Sequence, residues 1–247
     1  MGPGGTGQVI ELYQFEISPY CDKVRRILHV KGLPYTAHNV SMQAAVTQRT
    51  KVNRTGKLPA IRDDGNAVGD STDIALYLEE KYPQPPLLPQ DPQLRAMALI
   101  LEDWADESLY FYELYLRFTV SRNADKWVPI LTANDSDLVQ RASRFVIPRH
   151  MKGILAKQGL GRKSYAQVVA DMERHADTVE DMLDGRDWLV GDKLSLADIA
   201  VFAQWFCIRG AVEGEKAVDA HPHLAKWMER VDQATASPQQ NEEVSVG

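Results

Sequence analysis

Cysteine is scarce in this chain: Cys21 and Cys207 are the only two in 247 residues. Two thiols build neither a disulfide framework nor a cysteine zinc site, and no metal is expected. No apolar run approaches the roughly 20 residues of a membrane span. Positive charge is in deficit, with 28 Lys and Arg against 34 Asp and Glu and a formal net charge of -6. That balance makes neither nucleic acid nor an anionic membrane an expected partner. The opening MGPGGTGQ has no basic segment followed by an apolar one, so it does not read as a signal peptide. A cytoplasmic, reducing location is the expectation. The same glycines precede the first strand rather than follow it, which excludes a dinucleotide loop, and GLGRKS at 159–164 lacks the spacing of a phosphate loop.

What is present is ordinary globular material, 44% hydrophobic and 25% charged, long enough for two modest domains. Residues 1–82 hold ten Lys and Arg and nine Asp and Glu, a net of +1, so the remainder carries -7. A near-neutral first part is compatible with a small anionic ligand.

Pattern divides the chain further. Residues 1–7 read as a flexible tail. QVIELYQF reads as a strand, CDKVRRILHVKG as a helix stopped by Gly32, and PYTAHNV as a second strand. KLPAIRDDGNAVGD reads as a hairpin around Asp-Gly, and STDIALYLEEKY as a helix ending before Pro83. The order β-α-β-(α)-β-β-α over 8–82 implies a small mixed sheet with helices packed on it. Five prolines in PQPPLLPQDP place a linker at 83–92.

Residues 93–234 read as helical. Asp91 and Pro92 start one helix, and Ser164 with Gln167 starts another that stops at Gly185. Ser195 with Asp198 starts a third that stops at Gly210, and Pro222 opens a fourth. Ser195 and Asp198 pin a helix; they are not a catalytic pair, because a serine nucleophile needs an oriented base. His221 and His223 flank that Pro222 and read as structural rather than as metal ligands. Residues 119–150 are less periodic and interrupted by Pro129 and Pro148, and 235–247 read as a second flexible tail.

The stretch FEISPYCDKVRRIL, residues 15–28, resembles half of a Cys-Pro-Tyr-Cys dithiol, with Ser18 where the first sulfur would stand. Ser18 lies at a helix N-terminus, where free N–H groups and the helix dipole favour an anion such as a thiolate. Its hydroxyl either caps the helix or donates a hydrogen bond to a bound sulfur. Cys21, about one turn later, is either a small buried side chain or a thiol activated by the helix end and by Lys23 and Arg25.

The ensemble resembles the cytosolic glutathione transferases from about Val9 to Val231. SPYCDKVRRILHVKGLPY is similar to the first helix of the serine-type classes, tau and theta among them. GKLPAI is similar to the loop whose proline is cis in that family. GDSTDIALYLEE resembles a Glu-Ser-x-x-Ile segment with Asp70 in place of the Glu. LVGDKLSLADIAVFA resembles the capped core helix, and HPHLAKWMERV the closing helix.

This resemblance implies a fold: an α/β thioredoxin-like N-terminal domain and an all-α C-terminal domain. It also implies glutathione as co-substrate, no metal, and a homodimer. Ser18 would stabilise the glutathione thiolate as it attacks a small apolar electrophile. Leu58, before Pro59, would pair with the cysteinyl backbone, Lys57 would meet the glycyl carboxylate, and Asp70 and Ser71 the γ-glutamyl end. Trp104, Tyr112, Tyr115 and Trp205 would border the electrophile pocket. Two alternatives stay open: a glutathione-dependent thiol-redox enzyme using Cys21, and a non-catalytic binding protein on the same fold.

Overall fold

The computed structural model describes residues 9–42, 44, 56–236 and, as backbone, 243–246. The tail expected at 1–7 and most of the unassigned stretch 41–56 lie outside these.

Strand β1 (Ile10–Gln14) pairs parallel with β2 (Tyr35–Val40) and antiparallel with β3 (Ala60–Asp63), which pairs antiparallel with β4 (Asn66–Gly69). Ile10, Leu12 and Ala37 bury the alternate positions of β1 and β2. Between the first two strands runs helix α1 (Pro19–Val30), whose Val24, Ile27 and Leu28 are fully buried. It ends on Gly32 at φ 63, where the Gly32 N–H reaches His29 O and the Leu33 N–H reaches Leu28 O. Those two bonds are the left-handed glycine stop that the sequence called for. Asp64 and Gly65, at φ 48 and 82, close the β3–β4 hairpin as a two-residue turn. Helix α2 (Ser71–Lys81) completes the α/β unit.

The linker is pinned rather than loose. The Lys31 ammonium donates to Tyr82 O and Pro85 O, and the Glu79 carboxylate accepts the Leu87 and Leu88 N–H groups. Leu87 and Leu88 are themselves buried.

The helical part comprises α3 (Pro92–Trp104), a π turn (Ala105–Leu109), α4 (Tyr110–Thr119), α5 (Ser121–Leu131), α6 (Asp137–Gln158), a short 3-10 turn (Leu160–Arg162), α7 (Tyr165–Met182), α8 (Leu196–Arg209), α9 (Val212–Ala220) and α10 (Pro222–Thr235). The Asp91 carboxylate accepts the Gln93 and Leu94 N–H groups, and both expected capping boxes form. Helix α8 is the spine: it touches α1, α3, α4, α9 and α10 and buries nearly its whole surface. Among the described residues no helix is long and apolar enough to cross a membrane.

Three local expectations change. Pro129 and Pro148 lie inside α5 and α6 rather than interrupting them. Each removes a single intrahelical donor, a loss that helices packed by other residues can carry. The run 91–118, which reads as uninterrupted helix, contains the π turn. Within 235–247, residues Glu243–Val246 form β5, parallel to β2, giving the sheet order β4-β3-β1-β2-β5.

One buried carboxylate holds the helical part together. Asp198, fully shut from water, accepts from Leu189 N at 2.8 Å, Ser195 N at 2.9 Å, Ser195 Oγ at 2.8 Å and Trp227 Nε1 at 3.0 Å. Asp198→Ala leaves these donors unanswered in the core and is expected to cost at least about 3 kcal/mol. Asp198→Asn, which keeps one acceptor, is expected to cost less; urea unfolding midpoints measure both.

Candidate active site

Ser18 is the N-cap of α1, with extended backbone at φ -80 and ψ 131, but its side chain makes no capping hydrogen bond. The hydroxyl makes no bond to the helix backbone; its side-chain partner is the Cys21 thiol. Ser18 also lines two cavities, one on either side of it.

The first cavity, of about 420 Å³, is walled by the Ser18 loop, the residues before β3, the start of α2 and the π turn. Lys57, Leu58, Asp70 and Ser71 all line it, so the structure brings together side chains far apart in sequence. Pro59 sits behind them: the Leu58–Pro59 peptide bond is cis, and Pro59 O accepts the Asp70 N–H at 3.3 Å. Asp70 stands at φ 86, a region a side-chain-bearing residue enters only at a cost of about 1–3 kcal/mol. Its carboxylate caps α2 through Thr72 N at 3.1 Å and pairs with the exposed Lys57 ammonium at 2.6 Å. Burial by itself raises the Asp70 carboxyl, but the bonds from Lys57 and Thr72 hold it below its usual range. The hydrogen bond to Asp70 likewise raises Lys57. The two groups expected to grip opposite charges of a zwitterionic peptide are thus paired with each other.

Beneath this cavity lies a buried ionic cluster. Lys23, from α1, bonds Glu102 of α3, Asp106 of the π turn at 2.7 Å and Ser71 Oγ at 3.3 Å. Ser71 donates to Asp106 at 3.2 Å, and Thr72 to Glu102 at 2.7 Å. Burial lowers Lys23, but Asp106 and Glu102 together raise it, so the ammonium stays charged. Burial raises Asp106, and the nearby Glu102 charge raises it further. The sequence reading, which set Lys23 beside Cys21, is corrected here: its charge is spent on the two carboxylates.

The π turn has a visible consequence at the same place. The Tyr20 hydroxyl donates to Asp106 O at 2.7 Å, and its ring lies 4.8 Å from that of Tyr110. Such single π turns are common at functional sites. Tyr20, Asp106, Glu107 and Tyr110 all line the first cavity, and sequence reasoning missed all four. The available signal was the acidic cluster Glu102, Asp103, Asp106 and Glu107 that follows the apolar stretch 96–101.

Cys21 is fully buried under Ser18, in contact with Ser18 and the Phe15 backbone. Burial pushes its thiol up, against the lowering effect of Arg25. Cys207 is also buried, 3.7 Å from Ile17 O, and burial raises it too.

The second cavity, of about 360 Å³, lies between α1, α4, α5 and α8. Ile17, Trp127, Phe206 and Cys207 give it apolar surface, and Arg25, Arg26 and Arg117 give it guanidinium groups. Arg117 stacks over Trp127 at 3.9 Å. None of Trp104, Tyr112, Tyr115 or Trp205 lines either cavity beside Ser18. Trp104 and Tyr112 pack on His175 at 5.5 and 5.0 Å, and Trp205 is fully buried in the core of α8. Tyr112 and Trp205 are buried in the core, and Trp104 and Tyr115 are half-buried against it, with Trp104 and Tyr112 turned toward His175 of α7.

Comparison with known proteins agrees with this architecture. The glutathione S-transferase N-terminal domain family matches residues 12–86, and the glutathione S-transferase C-terminal domain family matches 141–233. Glutathione S-transferase theta-1 of Rattus norvegicus is 26% identical over 231 residues, 92% of this chain and 83% of that protein. Glutathione S-transferase 1 of Dianthus caryophyllus is 38% identical over 93 residues, and the match spans 36% of this chain and 42% of that one. A glutathione S-transferase structure from Rhodospirillum rubrum superposes with a TM-score of 0.65 at 25% identity, covering 93% of this chain and 89% of that one. With both domains matched in order and the theta-1 relative aligned over 92% of the chain, the chain belongs to the glutathione S-transferase family of enzymes.

Proposed function

We propose that glutathione lies in the first cavity with its sulfur at Ser18, and that a small electrophile enters the second cavity from the other side. The observation that carries this reading is that Ser18 lines both cavities while its hydroxyl leaves the helix uncapped. The thiol proton passes to solvent, and the Ser18 hydroxyl donates to the resulting thiolate. The sulfur then forms a bond to the electrophilic carbon, and the displaced group leaves with its electron pair. Ser18 and the α1 N-terminus lower the cost of the thiolate, and the shared wall holds the reactants together.

Glutathione binding exchanges partners. Its glycyl carboxylate takes the place of Asp70 on Lys57, and its ammonium meets the carboxylate so released. The electrophile chamber is mixed rather than purely apolar: rings pack on Ile17 and Phe206, beside arginines whose charges are paired, Arg25 and Arg26 with Asp22 and Arg117 with Glu113. The thiol-redox alternative is disfavoured because Cys21 is sealed from both cavities and its thiol is raised.

Three outcomes test this reading. Ser18→Ala is expected to lower kcat/KM for conjugation about 10- to 100-fold and to move the pH–rate profile up by about one to two pH units, the loss of one charge-assisted hydrogen bond. Full activity in that variant would refute the assignment. Lys57→Ala is expected to weaken glutathione several-fold in KM with kcat nearly constant, because a gripping contact is lost and no reacting atom moves. Cys21 and Cys207 are expected to resist a thiol-specific disulfide reagent at pH 8 in the native protein and to react at once in denaturant. Rapid native labelling of Cys21, with loss of thiol transfer in Cys21→Ser, would restore the redox reading.

A further inference from the structure

Helix α6 carries a feature that the transferase reaction does not use. Its 22 residues include Arg141, Arg144, Arg149, Lys152 and Lys157 against the single acid Asp137, a net of +4 in a chain of net -6. All five cations are exposed, and none takes part in an ion pair among the described residues. The same helix exposes Leu138 at 78%, Phe145 at 67% and Val146 at 61%, three of the four most exposed large apolar side chains in the described structure.

The two sets share one surface. Leu138, Ala142, Phe145 and Arg149 recur at the i, i+4, i+7, i+11 spacing of one helical face, with Val146 beside them and Arg141 and Lys152 on the flank. The opposite face, with Ser143, Ile147 and Leu155, is the one buried against the domain. The outward stripe is therefore not left over from core packing.

We propose that this outer face of α6 docks on an anionic lipid surface, with Leu138, Phe145 and Val146 seated at the headgroup boundary and the flanking cations against the headgroups. An apolar stripe edged by Arg and Lys is the pattern of helices that lie in a membrane interface. Neither cavity described above is lined by this face, and a lipid surface needs no groove to receive an exposed helical stripe. Its cations are spread from 141 to 157, matching a plane of diffuse negative charge better than a single anionic group. Self-association through it is opposed, because a two-fold contact sets the cations of one helix against those of its copy. The acidity of the whole chain does not cancel the patch, since charges beyond about 8 Å are screened at physiological salt. Helix α6 packs on α4 and α5, which wall the second cavity, so docking brings that cavity close to the lipid.

Co-sedimentation of the full chain with vesicles tests this. Phosphatidylcholine vesicles with about 30% phosphatidylglycerol are expected to bind at least tenfold more protein than pure phosphatidylcholine, and about 0.5 M NaCl is expected to release it. Arg141→Gln/Arg149→Gln/Lys152→Gln is expected to lower binding about a hundredfold, each charge near such a surface being worth roughly fivefold. Leu138→Ser/Phe145→Ser is expected to lower it at least tenfold. Both variants change only exposed side chains, and an unaltered melting temperature verifies their fold. The proposal is overturned if no vesicle binding occurs at 50 mM salt, if the Leu138/Phe145 variant binds like the parent, or if poly-L-glutamate binds tightly while vesicles do not.

Discussion

A single buried ammonium group fixes the geometry on which the site depends. Lys23 projects from α1 between Glu102 of α3 and Asp106 of the π turn, and the hydroxyls of Ser71 and Thr72 close the cluster from α2. Three helices and the π turn, from the two domains, are thus tied at one point directly under the first cavity. Taking such ions out of water costs several kcal/mol each, recovered only when every partner is in place, and removing one partner typically costs about 3–5 kcal/mol. The cluster therefore tolerates little displacement of α1 against α3. That rigidity sets where the start of α2 lies, and with it the strained Asp70 and its pairing to Lys57. With both carboxylates ionised the cluster is one negative charge in excess, and burial raises the Asp106 carboxyl.

The π turn and the Ser18 loop complete the arrangement from opposite sides. Tyr20, two residues after Ser18, anchors its hydroxyl on the Asp106 carbonyl, so the mouth of α1 is bolted to the helical domain as well as to its own sheet. Ser18 is left at the partition between two cavities, with Cys21 sealed beneath. The division of labour follows from depth. Ser18 borders both cavities, whereas the Cys21 thiol is surrounded by protein that disfavours its charged form.

Much of the fold was legible because its signals are local. The Gly32 stop of α1, the Asp64-Gly65 hairpin turn, the Asp91 cap and the two capping boxes all formed where the sequence placed them. Each satisfies backbone groups within a few residues of itself, so a short window of sequence holds the whole interaction. The prolines at 129 and 148 misled for the same reason: a window shows the lost N–H but not the neighbouring helices that hold α5 and α6 together.

By itself, the sequence determined the order of most elements and their ends, and its motifs, through their resemblance to the glutathione transferases, pointed to Ser18, Lys57, Leu58, Asp70 and Ser71 as members of one site. Only the tertiary structure decided that Lys23 meets partners 79 and 83 positions away, that Lys57 is already held by Asp70, and that Tyr20 and Tyr110 rather than Trp104 and Tyr112 face the site. The reason is physical. Which face of a helix is buried, and against what, depends on apolar area and charge supplied by distant segments, and a single helix with aromatic residues on several faces does not reveal which of them its neighbours will cover.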